Sequence, residues 1–180
     1  MLVLQVQLKQ DITMNIRFLG VGGAFDYQYG NSAAIVTFKG ENYLIDCGHS
    51  IYEELARQDL ISELDYVLIT HLHADHVGSL STLILHHHSF IQNKQLKIIY
   101  ADTAFRDELK SYLSFSLQKP EKYIAFSSIE KHVGVGFVNT RGHHVEGMQT
   151  FSYYFLNEQK LIAYSGVIAE PEILFNYLDV

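Results

Sequence analysis

Positions 65–76 read "DYVLITHLHADH". The first half is a short apolar run rich in β-branched side chains, the composition of a strand covered on both faces. The second half places His71, His73, Asp75 and His76 directly behind that strand. His71 and His73 are two positions apart, so in extended backbone their side chains project to the same side. Asp75 and His76 follow where the chain must turn. Neutral imidazole and carboxylate are the usual nitrogen and oxygen ligands of zinc and similar divalent ions. The spacing suits two neighbouring ions, one held by His71 and His73 and the other by Asp75 and His76. The competing account, a histidine-rich polar loop, leaves this concentration of ligand side chains behind a buried strand unexplained.

On the N-terminal side of the cluster, "MNIRFLG" alternates from Met14, and "AAIVTF" and "NYLID" follow, separated by the turn chemistry of Lys39-Gly40-Glu41. Ser50 with Glu53 three positions later has the form of a capping box, and Ile51 with Leu55 supplies an apolar face. A helix is therefore expected from about residue 51. Beyond the cluster, Val77, Leu80 and Ile84 recur at helical spacing toward His86-His87-His88, a run expected to form a solvated helix end. "LKIIYA" reads as a buried strand. Phe105, Leu109, Tyr112 and Leu113 form one helical stripe. "VGVGFVN", "TFSYYFL" and "KLIAYS" return to strands, with Asn157-Glu158-Gln159 at a hairpin turn. Strands interleaved with helices imply a mixed α/β sandwich.

Length and charge narrow the function classes. A chain of 180 residues fits one domain that buries roughly 70% of its unfolded surface. Its 13 Lys and Arg against 20 Asp and Glu give a net charge of −7 and leave no basic stripe, so nucleic acid is unsupported as a partner, although not excluded. Cys47 is the only cysteine, which rules out an intramolecular disulfide; it reads as a packing residue. The start "MLVLQVQLKQDIT" lacks the form of a signal peptide, and no window approaches the roughly 20 apolar residues of a membrane span. A cytoplasmic location is expected. Residues 1–13 stand as an N-terminal extension, open to readings as an added strand, a tail or an upstream start. His49 reads as a surface residue at the helix entry, and Gly20 to Gly23 as a turn.

From about Met14 onward the chain resembles the metallo-β-lactamase-fold hydrolases, whose hallmark is His-x-His-x-Asp-His at the end of a core strand. "RFLGVGGAFDYQYGNSAAIVTFKGENYLIDCG" resembles that family's opening strands, "THLHADHVG" its metal motif and "HHVEGMQTFSYYF" the segment supplying a further histidine. The opening and "LIAYSGVIAEPEIL" are most similar to the ribonuclease Z and phosphodiesterase branch. The resemblance implies an αββα sandwich. It assigns His71 and His73 to a first ion, and Asp75 and His76, the expected catalytic pair, to a second. "HVEGM" selects His144 as the third ligand of the first ion, with His143 the alternative. Asp46 falls at the family's buried supporting carboxylate, which hydrogen-bonds near the histidine loop. Zinc is the expected ion, with manganese or iron as alternatives, and metal-bound hydroxide the expected nucleophile. The implied substrate is a small phosphodiester or nucleotide.

Two departures from the family pattern shape the expected chemistry. Val167 stands where the family has the carboxylate that bridges both ions. The domain at 14–180 is also expected to lack the family's terminal strand and helix, with its last histidine. One well-held ion and a weak second one follow, together with a homodimer that covers the exposed edge. The opposing account is a catalytically impaired member acting in binding.

Overall fold

In the computed structural model, which describes residues 14–92, 94–170 and 172–178, the apolar run at the centre of the sequence becomes the middle of a six-stranded sheet. Its strands are β1 (Met14–Gly20), β2 (Ala33–Phe38), β3 (Glu41–Ile45), β4 (Tyr66–Leu68), β5 (Lys97–Tyr100) and β6 (Ala125–Ser128), side by side in chain order. The first three are antiparallel and the last three join them in parallel. Residues 1–13 lie outside the described residues. The β2–β3 hairpin closes through Lys39 and Gly40, both at positive φ (53° and 81°), the pairing that a tight two-residue hairpin turn requires.

A second, antiparallel sheet consists of β7 (Val135–Asn139), β8 (Phe151–Leu156) and β9 (Leu161–Tyr164). Aromatic rings join the two sheets. Phe155 meets Phe38 at 5.7 Å and Tyr43 at 5.2 Å between ring centroids. Tyr153, fully buried, donates its hydroxyl to the Ile69 carbonyl at 2.8 Å. Helices α1 (Ile51–Arg57), α2 (Ala74–Val77), α3 (Leu80–Phe90) and α4 (Thr103–Leu117) connect the strands of the large sheet, and α5 (Ile173–Leu178) follows β9. In α4 the stripe Phe105, Leu109 and Leu113, extended by Leu117, is buried. Each such side chain contributes about 1.5–3 kcal/mol on removal from water. Asp102 caps this helix by accepting from the Phe105 N–H at 2.8 Å. The result is the mixed α/β sandwich the strand and helix pattern implied.

Three local expectations are corrected, and one strand was not foreseen. The Ser50 hydroxyl makes no cap bond to α1; it accepts from the Asn31 N–H at 2.8 Å, so a tertiary contact displaces the capping box. The helical spacing through Val77, Leu80 and Ile84 is broken between α2 and α3, where the Ser79 hydroxyl donates to the Gly48 carbonyl (2.6 Å) and accepts from the Tyr52 N–H (3.1 Å). The run at 86–88 is not wholly solvated. His87 is buried on the stripe with Leu80, Leu83 and Ile84, and His86 pairs with the Tyr52 hydroxyl. Strand β6 has no counterpart in the strand pattern read from the sequence, because none of its four side chains is fully buried.

Candidate metal centre

Strand β4 ends at Leu68, and the next eight residues carry the cluster into α2. A parallel strand directs its following loop to one edge of the sheet, where ligand sites of α/β folds collect. The turn after β3 arrives at the same edge with Asp46. Its Cys47 N–H donates to the His76 carbonyl at 2.7 Å, and the Asp46 N–H to the Leu68 carbonyl at 2.9 Å. Gly48 is needed for this fit, since a Cβ there would stand 1.9 Å from the Asp75 carbonyl oxygen. Cys47 is buried, with its thiol pushed up to about 12 by burial, so it packs rather than attacks.

Three imidazoles converge. His71 Nε2 and His144 Nε2 each lie 3.1 Å from His73 Nδ1, and the three ligand atoms are all within 4.8 Å of one another. Ligand nitrogens of a tetrahedral ion, with metal–nitrogen bonds of about 2.0–2.1 Å, stand about 3.3 Å apart. Two of the three edges thus match, the third is wider at up to 4.8 Å, and the three-nitrogen donor set is of the kind that suits a divalent ion once the rings turn inward. Burial, with the neighbouring histidine charges, pushes His71 down to about 2, and burial also lowers His144. Neutral imidazole is the form that ligates. His143 is not part of the group; its backbone bonds Thr140 and Ala169 instead. His144 is brought in by the loop between β7 and β8, held by the Thr140 N–H on the Thr150 carbonyl and the Phe151 N–H on the Thr70 carbonyl, both 2.9 Å.

Asp75 and His76 face each other beside this triad, with His76 Nε2 3.3 Å from Asp75 Oδ2. The rings of His71 and His76 are 4.1 Å apart between centroids. The fold therefore brings both pairs to one place.

Behind the ligands lies a buried network that orients them. Asp46, fully buried at φ +66°, accepts from the Thr70 N–H (2.8 Å), the Thr70 hydroxyl (2.9 Å) and His76 Nδ1 (2.7 Å). Thr70 spends its one proton on the carboxylate, so its oxygen accepts from His71 Nδ1 at 3.0 Å. With Nδ1–H committed on both rings, Nε2 of His71 and of His76 presents its lone pair to the cleft. Burial raises the Asp46 carboxyl against these hydrogen bonds. For His76, burial works downward, but the Asp46 bond and charge outweigh it and raise the ring. Thr70 escaped the sequence reading because a threonine at a strand end reads as ordinary β composition; its place between Asp46 and His71 is visible only in three dimensions.

Val167 is 42% exposed in the segment after β9. That segment is docked on the site by Gly166, at φ +65°, where a Cβ would touch Thr70 at 3.2 Å. The isopropyl group offers no ligand atom, and Asp75 and His76 gain no third partner from it.

A family profile described as Anti-Pycsar protein Apyc1 matches residues 14–177. The chain is 34% identical over 113 residues to the protein of that name from Bacillus phage BSP38, which covers 62% of this chain and 44% of that protein. It is 27% identical over 189 residues to the one from Bacillus phage 010DV004, which covers 92% of this chain and 73% of that protein. Among solved structures, the metallo-β-lactamase-fold protein YhfI from Bacillus subtilis superposes with a TM-score of 0.65 at 17% identity, over 83% of this chain and 61% of that one. Human tRNase Z, short form, superposes with 0.56 at 19% identity, over 88% and 72% respectively. No helix among the described residues is long and apolar enough to cross a membrane.

Proposed function

The chain belongs to the anti-Pycsar protein Apyc1 family and has the metallo-β-lactamase fold, and from that premise we propose that it is a metal-dependent hydrolase of a small phosphodiester. The observation that carries the reading is the convergence of His71, His73 and His144 on one point with two nitrogen–nitrogen edges of 3.1 Å. These three residues would hold the principal ion. Asp75 and His76 would hold a weaker second one and are the proposed catalytic pair. Zinc suits the nitrogen-rich donor set, with manganese or iron as alternatives. A bound ion supplies Lewis acidity, able to lower the pKa of water from 15.7 to about 7. The protein's own contribution is orientation: Asp46 and Thr70 fix the ring tautomers, and Asp75 would accept a hydrogen bond from the incoming water.

The proposed substrate class is a small cyclic nucleotide. A single phosphodiester in a compact ring needs no basic track, in keeping with a net charge of −7, and the relatives are named for acting against Pycsar. The second reading, a catalytically weakened member that binds without turnover, rests on Val167, which leaves the Asp75–His76 pair short of the roughly four ligands a stable site wants.

The two are separated by metal analysis and turnover of cyclic mononucleotides and a chromogenic phosphodiester, with zinc or manganese in excess. Val167→Asp is expected to raise second-ion affinity and turnover at least about tenfold, the equivalent of roughly 1.4 kcal/mol. Absence of turnover in the native chain, with none gained on Val167→Asp, would exclude the hydrolase. Turnover gained only with the substitution would mark an enzyme disabled at that position.

A further inference from the structure

At the opposite end of the large sheet from the histidine cluster, where β5 begins, an open cleft of about 490 Å³ is lined among others by His87, His88, Gln92, Lys94, Gln95 and Lys122. A volume of this order suits a small organic ligand. In a chain with 20 acidic residues, this lining contains no carboxylate. It also contains His87, which is 3% exposed and whose Nε2 is the buried side-chain nitrogen left without a hydrogen-bond partner among the described residues. Buried polar atoms in native proteins are nearly always paired, so an orphan beneath the cleft points to a missing partner.

We infer that this cleft binds a nucleoside monophosphate or a ligand of the same chemistry, a phosphate monoester joined to a polar ring. The lining has two kinds of wall. One is cationic: the exposed Lys122 has no carboxylate partner among the described residues, and Lys94 is anchored by Asp65 (2.9 Å) and the Glu63 carbonyl (2.7 Å) while still lining the cleft. The other is neutral and hydrogen-bonding. It combines the buried His87 with the exposed Gln92 and Gln95, beside the edge-to-face rings of His88 and Tyr123, 5.2 Å apart. This second wall adjoins the carbonyl end of α3, which disfavours an anion there and leaves the phosphate to the lysines. Burial keeps His87 neutral, aided by the charge of Lys94, so the ring serves as a hydrogen-bond partner rather than as a charge. Glutamine amides offer the paired donor and acceptor that a nucleobase edge requires.

The cleft lies at the far end of the sheet from the histidine cluster, so nucleotide binding there stands or falls separately from hydrolase activity. Binding of CMP, UMP, AMP, GMP, ribose 5-phosphate and inorganic phosphate is measured by titration calorimetry on the native chain, on His73→Ala, and on Lys122→Ala and His87→Leu. The expected result is saturable one-to-one binding of at least one nucleoside monophosphate, retained in His73→Ala and weakened at least about tenfold in each of the other two, a difference of roughly 1.4 kcal/mol. His87→Leu extends the apolar stripe of α3 and removes an unpaired buried nitrogen, so its unfolding temperature is expected to equal or exceed that of the native chain. If that variant fails to fold, Lys122→Ala, a surface change, decides alone. Absence of nucleotide binding overturns the inference. So does binding that is lost in His73→Ala and indifferent to Lys122→Ala, or inorganic phosphate binding as tightly as any nucleotide.

Discussion

His73→Ala is expected to abolish metal-dependent turnover while leaving the fold intact. His73 Nδ1 is the hub of the triad, 3.1 Å from both His71 Nε2 and His144 Nε2. Its side chain is half-buried at the mouth of the site, so truncation opens no core cavity. Removing a residue that only supports a ligand costs 10–100-fold in metal affinity or activity, and removing the ligand itself is expected to exceed about 100-fold. Metal content of the purified variant, with its turnover at saturating zinc or manganese, measures this. A variant that keeps the native metal content and rate would exclude the triad as the working site.

Asp46→Asn is expected to retain the backbone but disable one half of the site, whereas Asp46→Ala damages both. At φ +66° asparagine is tolerated, but alanine costs about 1–2 kcal/mol. Alanine also strands the Thr70 N–H, the Thr70 hydroxyl and His76 Nδ1–H in a fully buried place. Breaking such a buried pair costs about 3–5 kcal/mol. In the asparagine variant the amide oxygen still accepts from Thr70, but an N–H now faces His76 Nδ1. The ring must then carry its proton on Nε2, the atom that faces Asp75, and its lone pair is lost to the cleft. A fall of about 10–100-fold in metal affinity or turnover follows, at little cost in unfolding free energy. Denaturant unfolding and metal titration of the two variants separate the effects. An alanine variant as stable as the native chain would show that Asp46 holds nothing in place.

What the residues disclosed beforehand was largely local. The strand at Tyr66–Leu68 and the ligands behind it are neighbours in sequence, so composition and a two-residue spacing suffice to read them. His144 lies far along the chain, and only the resemblance of "HVEGM" to the family form selected it over His143. The same resemblance supplied Asp46, but not the manner of its action, because positive φ at Asp46 and the hydroxyl relay through Thr70 are products of the fold. The capping box failed for a related reason: Ser50 bonds Asn31, nineteen residues earlier, in place of its own helix. His87 differs, since its burial follows from the spacing Leu80, Leu83, Ile84 and His87, a helical stripe that the adjacent histidines obscured. Strand β6 stayed hidden because a half-exposed "AFSS" lacks both alternation and a continuous apolar run.

Whether His71, His73 and His144 hold the ion on which hydrolysis depends can be read from an anomalous difference map of crystals grown with zinc. A peak is expected about 2.0–2.1 Å from His71 Nε2, His73 Nδ1 and His144 Nε2. A zinc-loaded crystal with its peak elsewhere, or with none at these three nitrogens, would contradict that assignment.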